Sequence, residues 1–317
     1  MPTGGNIRRA IDAALAIVGL VSITQGQSVQ FAVIGDYGVD NAKELAVANR
    51  VKLSNPDFVV TAGDNNYFLG GSLADWDRTQ GKYYGQYIKY PAGSSSIYAG
   101  NGVTQNNFYP ALGNHDWDAG IDSYTDYFEL PGDERYYSFT RGPVEVFVLD
   151  SDPREPDGRS AGSAQYEWAH SGIQSSTAQW QIVVFHHPAW TYVTNHGPET
   201  AMRWPFKDWG VDAVIAGHNH NLQRMDVNGL ENYVVGSSGN TLYSITGPPQ
   251  GAVGQFYNTT DFGFLTVDAT PTSMTMTFLS AGGVVLDMSV IPEPVSAAGI
   301  LLVAGFIFRR SRGSLPG

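Results

Sequence analysis

Apolar and polar positions change rhythm along this chain in blocks of a few to a dozen residues. Ser28–Ile34, Asp57–Thr61, Val144–Leu149, Gln181–Phe185 and Val211–Ala216 are short runs rich in Val, Ile and Phe, the pattern of strands. Asn41–Leu53, Leu73–Tyr87, Ser163–Ser175 and Glu199–Asp208 are amphipathic and predict helices. Strand-then-helix alternation over the first two-thirds implies an α/β sheet. The final stretch differs, because Tyr233–Val235, Gly263–Val267, Met274–Leu279 and Val284–Val290 read as successive strands with no helix between them. Pro91–Asn107, rich in Gly, Ser and Asn, predicts a surface loop, and Ser151–Gly162, crowded with Pro, Asp and Arg, a second. No internal repeat or long linker interrupts the pattern.

The two ends depart from it. Arg8 and Arg9 precede an apolar run from Ala13 to Val21 and then small and polar residues up to Gly26. Basic, apolar, small is the order of a signal peptide, although Asp12 stands at the start of the apolar run and no clean A-x-A site follows. At the other end Ile291-Pro292-Glu293-Pro294 leads into an apolar run from Val295 to Phe308, closed by Arg309, Arg310 and Arg312. That run is shorter than the roughly 20 residues that span a bilayer comfortably. Trailing arginines favour a cytoplasmic C-terminus with the body outside. The Pro-Glu-Pro, apolar span and Arg cluster resemble the PEP-CTERM sorting tail of Gram-negative bacteria that make exopolysaccharide. That resemblance implies transient membrane anchoring and contact with the sorting machinery. The expected organisation is a signal peptide over 1–27, one catalytic domain over 28–290 and a tail over 291–317. The expected location is the periplasm, outer surface or extracellular matrix.

Composition narrows the function. A hydrophobic content of 42% against 15% charged residues describes a globular chain and excludes a disordered one. The formal net charge of −12 argues against nucleic acid as a partner, since phosphate backbones need clustered Lys and Arg. With no cysteine, disulfides, thiolate-bound metals and thiol catalysis are all excluded.

The chemistry-bearing residues fall just after the predicted strands, where α/β proteins collect catalytic groups. They are Gly35-Asp36-Tyr37-Gly38, Gly63-Asp64-Asn65-Asn66-Tyr67, Gly113-Asn114-His115-Asp116, Val183-Val184-Phe185-His186-His187 and Gly217-His218-Asn219-His220. Singly, each has a bland explanation as a turn, a cap or a satisfied polar residue. Gly-His-x-His is more pointed, because alternate residues of an extended chain project to one side and two imidazoles there suit a metal. Together, five strand-end loops present O or N donors beside glycines that permit sharp turns.

This order and content resemble the purple acid phosphatase signature, GDxG, GDxxY, GNH(D/E), VxxH and GHxH, across about Phe31 to Gly239. The resemblance is to the small, tartrate-resistant, mammalian-like branch of the calcineurin-like metallophosphoesterases. In the wider superfamily the first motif is typically Asp-x-His; here that position is Gly38, and Tyr67 is available instead. Carried over by position, the resemblance implies that Asp36, Tyr67 and His220 hold one metal, Asn114, His186 and His218 a second, and that Asp64 bridges them. Phenolate and carboxylate suit Fe³⁺, whereas a neutral amide and imidazoles suit a divalent Fe, Zn or Mn ion. His115, with Asp116 beside it, and His196, in Asn195-His196-Gly197-Pro198, are implied to bind the substrate phosphate and protonate the departing alkoxide. His187 is expected to point away from the site. Arg154 and Arg159, on the second loop, are expected to be solvated charges.

The implied fold is a four-layer α/β/β/α sandwich of two mixed sheets, the calcineurin-like metallophosphoesterase fold. The implied activity is that of an exported acid phosphatase hydrolysing phosphate monoesters, with a hydroxide of the dinuclear centre attacking phosphorus in line. A phosphodiesterase or nucleotidase using the same centre is the alternative among enzymes. Base-stacking aromatics near the site would favour it, and the sequence does not place Trp117, Trp190 or Trp204. A matrix-associated surface protein that keeps a metal centre for binding is the alternative outside enzymes. The natural substrate and oligomeric state are not legible in the sequence.

Overall fold

The computed structural model describes residues 28–293, so the signal-peptide segment and most of the expected tail lie outside the described residues. The chain runs β1 (Val29–Ile34), α1 (Ala42–Ser54), β2 (Phe58–Thr61), α2 (Leu73–Trp76), a π-helical turn (Asp77–Gly81), α3 (Lys82–Tyr84) and β3 (Phe108–Pro110). It continues through α4 (Asn114–Ala119), α5 (Ile121–Tyr127), β4 (Tyr137–Arg141), β5 (Val144–Val148), α6 (Ala164–Ser175) and β6 (Trp180–Val184). After α7 (Phe206–Trp209) come β7 (Ala213–Ala216), β8 (Leu222–Val227), β9 (Leu230–Val235), β10 (Val253–Asn258), β11 (Gly263–Ala269), β12 (Ser273–Ser280) and β13 (Val285–Pro292). Among the described residues no helix is long and apolar enough to cross a membrane.

These strands form two mixed sheets. The first has the order β13-β12-β11-β1-β2-β3, with β1, β2 and β3 parallel and the other three strands antiparallel to their neighbours. The second has the order β10-β8-β9-β7-β6-β5-β4, with β5, β6, β7 and β9 parallel. The continuous apolar strands follow from burial on both faces. On β5, Val146 and Val148 join the large core cluster, whereas Phe147 joins a smaller one with Ala169 and Ile173 of α6 and Trp209 of α7. Residues of both sheets share the large cluster, for example Phe31 and Val33 of β1 with Val184 of β6 and Ile215 of β7. Residues Val47, Ala48 and Val51 of α1 join it as well. The architecture is therefore helices on either side of two packed sheets, as the resemblance implied.

Most predicted elements recur within a residue or two, with local differences. Leu73–Tyr87 is helical but passes through the π-helical turn. Glu199–Asp208 splits into a 3₁₀ turn at Thr200–Met202 and the short α7, because Pro205 cannot donate a backbone hydrogen bond inside a helix. Strand β13 extends through Ile291 and Pro292, which pair with Met274 and Ser273, so the sheet runs two residues past Val290.

Candidate metal centre

The site stands where the carboxyl ends of β1, β2 and β3 in one sheet meet those of β6 and β7 in the other. Asp36 follows β1, Asp64 and Tyr67 follow β2, Asn114 follows β3, His186 follows β6, and His218 and His220 follow β7. The backbone is contorted here. Asp36, Asp64 and His218 have φ of 56°, 54° and 67°, the left-handed region that side chains with a Cβ seldom occupy. Glycine is required next to them: a Cβ on Gly63, itself at φ 87°, would lie 2.6 Å from His186 Nδ1, and one on Gly113 2.3 Å from Asp64 Oδ1. The loops are folded tightly so that donors from distant segments converge.

The donors form two groups joined by one carboxylate. In the first, Tyr67 Oη lies 3.3 Å from Asp36 Oδ1, 2.9 Å from Asp64 Oδ2 and 3.2 Å from His220 Nε2. His220 Nε2 is in turn 3.3 Å from Asp36 Oδ1. In the second, His186 Nε2 lies 3.2 Å from Asn114 Oδ1, 3.2 Å from His218 Nδ1 and 3.3 Å from Asp64 Oδ1. Asp64 thus gives Oδ2 to one group and Oδ1 to the other.

Three observations make this donor set fit a pair of metal ions. Donor–donor separations near 3.0 Å are what ligands at about 2.1 Å from a shared centre require. Two imidazoles are already fixed as ligands usually are: His186 Nδ1 is held by the Ala62 carbonyl and His220 Nδ1 by the Thr241 carbonyl, each at 2.8 Å, which leaves Nε2 on the site. Third, the electrostatics lack a fixed cation. Asp36 and Asp64 are buried, and no Lys or Arg among the described residues ion-pairs with either. Burial opposes ionisation of Asp64, but the adjoining His186 and His115 hold it below the usual carboxylate range. Burial likewise opposes a charge on His186, yet Asp64 lifts it to about 10. Burial and then the charges of Asp64 and Asp36 push the Tyr67 phenol well up. The buried acidic groups thus lack a fixed cation, the place that metal ions would take, where they would also stabilise a phenolate.

The other named residues divide. The His115 ring lies over Tyr67 with centroids 4.2 Å apart, while its backbone N–H donates to Asp64 Oδ1. His196, half-buried, lies 4.5 Å from the His218 ring and 5.4 Å from Tyr243. Both histidines thus flank the donor groups. Asp116 does not join them, which corrects the expectation that it handles protons beside His115. Its carboxylate is fully buried and accepts from the backbone N–H groups of Asn65, Asn66 and Gly113 and from Asn65 Nδ2, so it braces two site loops from beneath. Burial, followed by the charge of Asp64, raises it to about 7.

His187 also departs from expectation, because its ring faces the site, 4.8 Å from His186 and 4.5 Å from His218. Burial, then the neighbouring His186, lowers its pKa to about 3. Arg154 and Arg159 are not simply solvated: Arg154 pairs with Asp152 and Asp118 and donates to the Asn114 carbonyl, and Arg159 pairs with Glu199. Tyr243 and Asn240 are contributors that sequence reasoning missed. Tyr243 stacks on His220 with centroids 4.1 Å apart and planes at 13°, and the Asn240 backbone N–H donates to the Asp36 carbonyl at 2.9 Å. Their segment, Asn240–Tyr243, has no periodic pattern and no motif that would have marked it.

Two mixed sheets thus carry a candidate metal centre at their strand ends. Residues 29–222 match the family model described as calcineurin-like phosphoesterase. This chain belongs to the calcineurin-like phosphoesterase family and is a metal-dependent phosphoric ester hydrolase. It is 25% identical to tartrate-resistant acid phosphatase type 5 of Mus musculus, over 88% of this chain and 96% of that protein. It is 28% identical to purple acid phosphatase 17 of Arabidopsis thaliana, over 62% of this chain and 64% of that protein. Among solved structures, a purple acid phosphatase from yellow lupin seeds matches with a TM-score of 0.64 at 18% identity, over 84% of this chain and 54% of that one. An anchor protein of the Plasmodium inner membrane complex matches with a TM-score of 0.65 at 17% identity, over 92% of this chain and 98% of that one. These last two likenesses are of fold.

Proposed function

We propose that this protein is an exported acid phosphatase that hydrolyses phosphate monoesters at a dinuclear centre of one trivalent and one divalent ion. The observation that carries this reading is the division of Asp64, whose two oxygens face two complete but chemically different donor groups. Asp36, Tyr67 and His220 would hold Fe³⁺, and Asn114, His186 and His218 a divalent Fe, Zn or Mn ion. Two ions so held would supply Lewis acidity toward the phosphoryl oxygens and would lower the pKa of a water so that hydroxide is available as nucleophile.

This chain's own residues do the rest. His115 stands on the Tyr67 side and His196 on the His218 side, so an ester between them meets an imidazole at each end. One orients phosphoryl oxygens by hydrogen bonding, and the other gives a proton to the departing alkoxide. Asp116 and the carbonyls of Ala62 and Thr241 hold the loops and rings in register and touch no substrate. Direct attack without a phosphoenzyme inverts phosphorus, and a chiral phosphate product of retained configuration would refute it.

The aromatics that would signal a nucleotidase offer no support for that alternative. Trp204 is packed in the core, and the Trp117 and Trp190 rings are covered by the guanidinium groups of Arg154 and Arg203. Export is part of the proposal and rests on the basic-apolar-small order at the N-terminus and the Pro-Glu-Pro, apolar and Arg order at the C-terminus.

The experiment is metal analysis and a visible spectrum of the purified protein, with p-nitrophenyl phosphate hydrolysis followed across pH. Two metals, a purple tyrosinate–iron band and acid-side turnover are expected. Turnover without colour refutes the ferric centre, and absence of bound metal refutes the whole reading.

A further inference from the structure

His187 belongs to neither donor group as the resemblance divides them, yet it stands beside the second. One ring nitrogen from each of His186, His187 and His218 lies within 4.8 Å of the others. The ring is fixed from behind. Ser151 Oγ accepts the His187 backbone N–H at 2.8 Å and stands 2.9 Å from the ring Nδ1. Ser151 Oγ has a second lone pair that can take an Nδ1–H, the tautomer that presents Nε2 as a donor to a metal. His186 and His220 likewise have Nδ1 held by an oxygen, there a backbone carbonyl, with Nε2 turned to the site.

Sequence alternation would send His187 away from His186, but β6 ends at Val184, so the two-residue period no longer governs where these side chains point. Both rings instead press on His218, which has His187 at 4.5 Å on one hand and His196 at 4.5 Å on the other. His196 lacks the oxygen anchor on its ring that His187 has among the described hydrogen bonds. Of the two, His187 is the one pre-oriented as a donor.

We propose that His187 is a ligand of the second metal, anchored by Ser151, and that it gives the divalent ion a third imidazole. The assignment rests on the dinuclear reading above. A third nitrogen donor favours Zn²⁺ over Mn²⁺, since imidazole suits the former and oxygen donors the latter. The second group then holds three imidazoles, one amide oxygen and one carboxylate oxygen. The first keeps its phenolate, two carboxylate oxygens and single imidazole.

The test is metal binding, not turnover. Metal-free protein is titrated with Zn²⁺ alone, and separately with Mn²⁺ alone, by calorimetry. His187→Ala is expected to weaken the second-site Zn²⁺ affinity by about 10–100-fold, to narrow the Zn²⁺/Mn²⁺ preference, and to leave the other site unchanged. Ser151→Ala is expected to shift the same affinity in the same direction by less. In Co²⁺-loaded protein, the paramagnetically shifted imidazole N–H resonances should fall by one in His187→Ala. His187→Gln, which keeps a polar group against Ser151, guards against a variant that fails to fold. Unchanged affinity and an unchanged set of shifted resonances would overturn the assignment. So would a raised KM for p-nitrophenyl phosphate with unaltered metal affinity, which would give His187 to the substrate. Wild-type protein that takes up fewer than two ions overturns the dinuclear reading itself, whereas two ions that ignore His187 overturn this inference alone.

Discussion

Asp64 bears two demands at once: its carboxylate serves both donor groups while its backbone sits at φ 54°. Asp64→Asn keeps the shape but replaces one oxygen by an NH₂ that cannot coordinate. At least one metal should be lost and kcat should fall by about 100-fold or more, read by elemental analysis and phosphatase assay on the same preparation. An Asn that retained both ions and full turnover would show that no bridging carboxylate is needed. Gly63 makes a second residue-scale case. Gly63→Ala forces a Cβ at φ 87° to within 2.6 Å of His186 Nδ1, so a loss of about 2 kcal/mol is expected in a denaturant titration, together with weaker metal uptake. The seven donors were legible in the sequence because strand-end glycines bracket most of them in recognisable spacing. Asp116 was misread because adjacency to His115 says nothing about direction: at a loop-to-helix junction one side chain turns to the cleft and the next turns under it.

At the scale of elements, long β-branched runs such as Val144–Val148 were legible, since burial on both faces leaves no polar position. Strand β3 was not, because three residues carry no period. Strands β8 and β10 were hidden by polar residues, and β10 is an edge with much of its surface in water. Helix α1 carries a testable feature of its own. Asn41 caps it by accepting from the N–H groups of Lys43 and Glu44, and Glu44 Oε2 accepts from those of Val39 and Asp40. Glu44 is nonetheless buried with Oε1 unpartnered, and burial raises its pKa well above the ordinary value. A carboxyl raised in the folded state favours folding when protonated, so its contribution is greatest below the unfolded-state value of about 4.3 and is lost as pH rises through the folded-state value. Glu44→Gln should therefore raise Tm relative to wild type more at pH 8 than at pH 4. A difference that is flat with pH, or larger in acid, would contradict the burial argument.

At the scale of the whole molecule, the two-sheet architecture came from resemblance and not from periodicity. Alternation reveals a strand but not its neighbour, and β11 lies beside β1 although most of the chain separates them. Metal ions that bind only the folded form should stabilise it by mass action, each tenfold excess over Kd adding about 1.4 kcal/mol. Melting after treatment with a chelator should come at a lower temperature than in the loaded protein, and should recover on adding Zn²⁺ back. A Tm indifferent to metal would mean that the donor groups are empty in the working protein.

Asp36, Asp64 and Asn114 ride on one sheet and His186, His218 and His220 on the other, and the His218 N–H meets Asp36 across 182 positions of sequence. The centre is therefore a clasp between two sheets, built from segments far apart in sequence. A nascent or nicked chain with only one sheet offers each ion a partial set of donors and holds it poorly. Tight metal uptake should therefore report that both sheets have docked, and a nicked chain should lose it before it loses its secondary structure.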